Sequence, residues 1–293
     1  MNTFTTVETG YSLLSKIKTM KTILVPTDYS DVANNALQYA VELAKFSNAK
    51  IILLHAYQIP IPSGEALTLM VPMQEFEKEN SKRIKKLEKK IIAETSGKIK
   101  IESFIRTGFV SDEILDVAKE KSVDLIVMGV TGGNKLTETL LGSNTTSVIK
   151  QTHTPVLVIP KDARYKEVKK IVLTCNYNEP LNESAIKRFT QFAKLFKAKI
   201  LVLDVEKPIA IPMYENNVAG EVLEKSLKNV EHVMFYSSSD DMTEEINSFA
   251  DTHKCDWIAM IPHKHNILNR LFHESNTKKM AFHTHTPLLS IHD

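Results

Sequence analysis

The stretch Asp124-Leu-Ile-Val-Met-Gly-Val-Thr-Gly-Gly133, taken up again at Gly142-Ser143-Asn144, decides how this chain is read. A short, unbroken apolar run that ends in glycine has the pattern of a strand buried on both faces of a parallel sheet. Its carboxyl end is where open parallel sheets bind ligands. Gly129, Gly132 and Gly142 follow the spacing Gly-x2-Gly-x9-Gly-Ser. Lacking a Cβ, such residues let backbone N–H groups approach phosphate oxygens. Gly142-Ser143 then opens a helix predicted over Asn144–Gln151, whose N-terminus favours an anion, and Ser143 can cap that helix or bond a phosphate. Glycines serving only as turns are the alternative. The loop is not a Walker A sequence, which needs a Gly-Lys-Ser/Thr triplet, and its spacing is wrong for a dinucleotide fingerprint.

Outward from this loop, short apolar strands alternate with amphipathic helices between Lys21 and Pro160, which predicts a parallel sheet covered on both faces. Strands are expected at Thr22–Val25, Lys50–Tyr57, Lys98–Phe104, Asp124–Val130 and Val156–Ile159. The helix from about Asp31 to Phe46 carries Ala33, Ala36, Leu37, Ala40, Val41 and Ala44 on one stripe. A later helix repeats this with Val110, Ile114, Leu115 and Ala118. Such stripes read as core. Gln58–Met73, with Pro60, Pro62, Gly64 and Pro72, reads as a lid or surface loop ahead of a Gln74–Ala93 helix.

The same order then recurs. Lys170-Ile-Val-Leu-Thr174 repeats Thr22-Ile-Leu-Val-Pro26, and Ala198-Lys-Ile-Leu-Val-Leu203 repeats Ala49-Lys-Ile-Ile-Leu-Leu54. Thr284-His-Thr-Pro287 mirrors Thr152-His-Thr-Pro155. A period of about 130 residues is too long for a solenoid unit and predicts a duplicated domain. The expected division is residues 20–162 and 163–293, joined by a short polar linker near Asp162–Lys169. Residues 1–19 read as a loosely ordered or mis-started extension, because Met20 runs straight into a strand. The strand after each Thr-Pro would leave an exposed edge, and pairing the two would make an internal pseudo-dimer.

Composition removes several function classes. Lys+Arg 37 against Asp+Glu 35 leaves a net charge of only +2, which gives no basic footprint for nucleic acid. The basic run Lys82–Lys90 has acidic neighbours and reads as a solvated helix face. No apolar stretch approaches the ~18 residues of a membrane span. The two cysteines, Cys175 and Cys255, match no metal or redox spacing, and a reducing cytoplasm fits them best.

Pro26-Thr-Asp-Tyr-Ser30 after the first strand, the Lys50–Ala56 strand with His55, and the glycine loop together resemble the universal stress protein family in tandem form. The likeness covers nearly everything from Met20 onward and is specific in the first copy, where the glycine spacing matches the ATP-binding branch. It implies two five-stranded parallel α/β domains of Rossmann-like, adenine nucleotide alpha hydrolase-like type, with a role in stress survival. It also implies that Asp28 stands near the ribose or adenine. Pro26, Thr27, Ala56 and Met128 would line the base pocket, and Gly129, Gly132, Gly142, Ser143, Asn144 and Thr145 would surround the phosphates. Ala56 departs from the larger aliphatic residue usual there. Asp28 could equally cap the next helix, although Ser30 or Asp31 could do so as well. Lys135 is either a phosphate contact or a solvated loop lysine.

The second copy has lost the constellation. Gly129, Gly132 and Gly142 become Ile261, Lys264 and Glu274, Ser143 persists as Ser275, and Asp28 becomes Asn176. A carboxylate at Glu274 would repel phosphate, so this copy is expected not to bind ATP. No nucleophile or base stands out, and of possible magnesium ligands only Asp28 and Ser143 are placed by motif. The expected function is an ATP-binding stress sensor or adaptor with at most slow hydrolysis, and with an unknown protein partner. The alternative is a scaffold whose second half binds a ligand or metal through His263, His265 and His273. Against the metal, His285 has a counterpart in His153. An ATP-pyrophosphatase-like enzyme would want a Ser-Gly-Gly-x-Asp-Ser loop after the first strand, and that loop is absent.

Overall fold

The computed structural model describes residues 20–58, 73–130, 143–175, 182–206, 218–261 and 285–292. Met20, ahead of the first strand, is buried. The first half runs β1 (Thr22–Pro26), α1 (Asp31–Ser47), β2 (Lys50–Tyr57), α2 (Met73–Glu94), β3 (Ile101–Thr107), α3 (Val110–Glu120), β4 (Leu125–Val130), α4 (Ser143–Gln151) and β5 (Val156–Pro160). The second runs β6 (Lys170–Cys175), α5 (Glu183–Phe196), β7 (Lys199–Glu206), α6 (Val218–Leu227), β8 (His232–Ser238), α7 (Met242–His253), β9 (Trp257–Met260) and β10 (Leu288–Ser290). Among the described residues ten strands share one sheet, in the order β3-β2-β1-β4-β5-β10-β9-β6-β7-β8.

Every pairing is parallel except at the centre, where β5 and β10 run antiparallel with Leu288 opposite Val158 and Ser290 opposite Val156. The two strands that follow Thr-Pro therefore cover each other's edges, and the open edges are β3 and β8. Strand residues alternate between two cores. Ile23, Val25, Ile51 and Leu53 face α1 and α2, whereas Leu24, Ile52, Leu54, Ile126 and Met128 face α3 and α4. The first core continues through Ile171, Phe189 and Trp257, so one apolar layer spans both halves.

The sequence patterns locate the elements closely. The α1 stripe is buried throughout, and the helix starts at the N-cap Ser30 and ends at Asn48 in the left-handed region. Helix α5 repeats both devices with Asn182 and Lys197. The third strand is displaced by three residues from its expected span. Gly97 at φ 71 and Ser96 at φ 51 turn the chain first, and Ile101 then pairs with Ile51, so β2 sets the register of this half-exposed edge strand.

The segment 161–169 is more than a polar linker. Ala163 and Val168 are buried, and Tyr165 packs edge-on against Tyr39 of α1 with centroids 5.3 Å apart. Asn35 Nδ2 donates to the carbonyls of Pro160 and Ala163, both at 3.0 Å. Across the junction, buried Trp257 Nε1 donates to Tyr39 Oη at 2.8 Å, and Phe196 stacks on Phe46 while meeting Trp257 edge-on. Arg188 of α5 donates to the carbonyls of His153 and His292, clasping the start of β5 and the chain just past β10.

Candidate functional site

The chain leaves β1 toward β2 on one side and returns to β4 on the other, so the sheet changes winding direction between β1 and β4. At such a switch the outgoing loops separate and leave a crevice at the carboxyl ends of the strands. A cavity of about 400 Å³ lies there. Pro26, Thr27 and Asp28 line it from the end of β1, Ala56 from β2, Met128 and Gly129 from β4, and Ser143, Asn144 and Thr145 from the first turn of α4. Four separate segments thus converge on one site. Gly132, Gly142 and Lys135 lie outside the described residues.

The floor and walls are apolar. Leu54, Val110, Ile114 and Val130 complete them, with Val32 and Ala33 from the start of α1. Val110 and Ile114, read in sequence as plain core stripe, are therefore also cavity wall. A helical stripe does not say which of its residues abut a void. The size suits an organic ligand, and the balance of apolar wall with a few polar groups is that of a small-molecule pocket. The polar groups include Thr27, Ser30, one exposed carboxylate, Asp28, and the first turn of α4, whose N–H groups favour negative charge.

Hydrogen bonds settle what the first loop does locally. Ser30 Oγ accepts from Ala33 N at 3.2 Å and is the N-cap of α1. Asp28 Oδ1 instead accepts from Ser30 N at 2.9 Å, an Asx turn that leaves the carboxylate on the cavity wall. Thr27 N continues the ladder to Leu54 O, and Thr27 Oγ1 accepts from Tyr29 N at 3.0 Å. The Thr27 carbonyl accepts from buried His55 Nδ1 at 2.8 Å, which fixes the proton on that nitrogen. Tyr29 has φ 67 and lies on the opposite side of the loop, its ring centroid 4.6 Å from that of His55 and the Arg83 guanidinium 4.3 Å from it. Burial pushes the Tyr29 phenol up to about 12, against the opposing pull of Arg83.

Gly129 serves packing as well as the pocket. A Cβ there would lie 2.6 Å from the Val32 carbonyl oxygen, so glycine is what lets α1 sit this close to β4. At the matching place in the second half, Ile261 is buried in the apolar layer. Val205, at the place of half-buried Ala56, is buried too, and Met242, Phe235 and Phe249 pack against that core.

Two other cavities, of about 250 and 550 Å³, lie between the halves, beside Asp124 and His153 in one and Asp256 and His285 in the other. They sit at the amino ends of strands, away from the loops that carry ligands in this architecture. His285 and His153 are equivalent exposed residues there. His263, His265 and His273 fall outside the described residues, as do Lys264, Glu274, Ser275 and Asn176. Among the described residues no three His, Cys, Asp or Glu side chains gather into a metal site. Among the described residues, too, no helix is long and apolar enough to cross a membrane.

The model of the universal stress protein family matches residues 19–160. A universal stress protein of Methanocaldococcus jannaschii is 35% identical over 145 residues, which are 48% of this chain and 82% of that protein. The chain belongs to the universal stress protein family. The universal stress protein YxiE of Bacillus subtilis is likewise 35% identical, over 47% of this chain and 97% of its own length. At the level of fold the likeness extends further. The structure of a universal stress protein from Archaeoglobus fulgidus covers 93% of this chain and 98% of its own, with a TM-score of 0.70 and 16% identity. In this universal stress protein Pro26–Asp28, Ala56, Met128–Gly129 and Ser143–Thr145 line the β1–β4 crevice. The family model matches the half that holds the β1–β4 cavity.

Proposed function

We propose that this universal stress protein binds ATP in the β1–β4 cavity and acts as a stress-response nucleotide sensor or adaptor, with at most slow hydrolysis. The observation that carries this reading is the convergence of Pro26–Asp28, Ala56, Met128–Gly129 and Ser143–Thr145 on one cavity at the switch point of the sheet. In this reading Ala56, Val110, Ile114 and Met128 receive the base, and Asp28 accepts from the ribose hydroxyls. The first turn of α4, together with Gly132 and Gly142, receives the phosphates. Ala56, smaller than the aliphatic residue usual there, leaves room over the base.

Asp28 is the one carboxylate among the described residues that line the cavity. With Asp28 engaged by the ribose, a magnesium ion would take most of its oxygen ligands from phosphates and water, with Ser143 as the protein group to hold it. Such an ion would neutralise phosphate charge.

Residues 163–293 form a degenerate second copy in this reading, joined to the first as an internal pseudo-dimer through β5 and β10. The repeated caps of α1 and α5, and the mirrored strand order about β5–β10, support it. Ile261 and Val205 fill positions that the first copy leaves to glycine and alanine, which supports a single nucleotide site.

Titration calorimetry of the full chain with ATP, with and without magnesium, tests the proposal. One ATP per chain is expected, with binding lost on Gly132→Val and on Gly142→Val. Binding unchanged by both substitutions removes the site assignment.

A further inference from the structure

We infer that His55 and Tyr29 are positioning residues that aim the Asp28 carboxylate at the ribose of the bound nucleotide. The inference rests on the proposed ATP site and adds to it two residues that stand outside the pocket. His55 points to the α2 side of the sheet with Ile51 and Leu53, whereas its neighbours Leu54 and Ala56 face the cavity. Its Nδ1 donates to the Thr27 carbonyl at 2.8 Å in a buried setting.

Three features make this more than a packed core histidine. First, the backbone groups around Asp28 are held from both sides. Thr27 N bonds Leu54 O, the Thr27 carbonyl accepts from His55, Tyr29 N bonds Thr27 Oγ1, and Ser30 N bonds Asp28 itself. The turn carrying the carboxylate has little freedom left.

Second, Tyr29 occupies the left-handed region at φ 67. An aromatic residue there is strained, and such strain persists only where neighbours over-determine it. Those neighbours are His55 at 4.6 Å, Arg83 at 4.3 Å and the Asn34 side chain, which donates to the Tyr29 carbonyl at 3.3 Å.

Third, the strained residue is the one directly after Asp28. The left-handed turn sends the Tyr29 ring to the α2 side while Asp28 stays on the cavity wall. The tyrosine is thus a peg, and His55 is the socket that also grips the carbonyl before Asp28. Packing continues from His55 to Tyr57 and on to Phe76 of α2, so the peg is seated on an element that does not touch the pocket.

The test compares ATP with 2′,3′-dideoxy-ATP by titration calorimetry on the full chain. The unmodified protein should prefer ATP by about tenfold, the size of a hydrogen bond to a charged acceptor. His55→Leu should erase most of that preference while changing dideoxy-ATP affinity less than about twofold. His55→Asn, which can keep an N–H toward the Thr27 carbonyl, should restore it. In an Asp28→Ala background His55→Leu should have no further effect. Tyr29→Gly relieves the φ strain and removes the peg, so it should fold and still lose the preference. An equal loss for both ligands, additivity with Asp28→Ala, or full preference in Tyr29→Gly overturns the positioning role and leaves the site standing. Unmodified protein that binds ATP without preferring it over the dideoxy form has the same outcome. No ATP binding by the unmodified protein overturns both.

Discussion

A Cβ placed on Gly129 would lie 2.6 Å from the Val32 carbonyl oxygen, so the first turn of α1 rests directly on the end of β4. The contact joins the two walls of the cavity, since Val32 and Gly129 both line it. Gly129→Ala should force α1 outward and lower stability by about 1–3 kcal/mol, the usual range for overpacking. Urea unfolding should show a lower midpoint with an unchanged slope. ATP affinity should fall in the same variant.

Asp28 and Ser30 separate binding from folding. Asp28 is exposed, and the N-cap of α1 is Ser30. Asp28→Ala should reduce ATP affinity about tenfold with little change in the urea midpoint. Ser30→Ala should lower stability by about 1 kcal/mol. Reversal of the two effects would make Asp28 a structural residue.

The junction of the halves is held by the Trp257–Tyr39 hydrogen bond in a buried setting. Either Trp257→Phe or Tyr39→Phe leaves a buried polar group without its partner and should cost about 1–3 kcal/mol. The double variant should lose less than the sum. Circular dichroism in urea follows all three variants, and in Tyr39→Phe, which keeps Trp257, the only tryptophan in the chain, the red shift of its emission also reports this junction.

Stability should fall in alkali. Burial raises the Cys255 thiol from 9.0 to about 11 and the Tyr29 phenol from 10.0 to about 12, and holds Tyr39 well above its ordinary value. Above the unfolded values the unfolded chain binds fewer protons than the fold, so stability declines as pH rises. For Cys255 the decline runs from about 9 to 11, and for Tyr29 from about 10 to 12. Urea midpoints measured across this window should drop, and Cys255→Ala should flatten its lower part.

Much of the fold was legible before any coordinates. The Asp124–Met128 run, the α1 stripe and the matching Thr-His-Thr-Pro segments foretold β4, α1 and the pairing of the strands that follow them. Periodicity carries such information because it reflects burial on one or two faces. The third strand was misplaced because it lies at an edge, half-exposed, and its start is set by Ile51 on the neighbouring strand.

The sequence by itself determined the alternation of strands and helices in the first half, and which half keeps the glycines and Asp28. These are properties of residue type and spacing along one dimension. Only the tertiary structure decided that Val110 and Ile114 are pocket wall, that Ser30 and not Asp28 caps α1, and that Gly129 yields to Val32. It also decided that His55 grips the loop from the far side of the sheet. Each of these depends on what lies across a gap from a residue distant in the chain, and spacing cannot encode that.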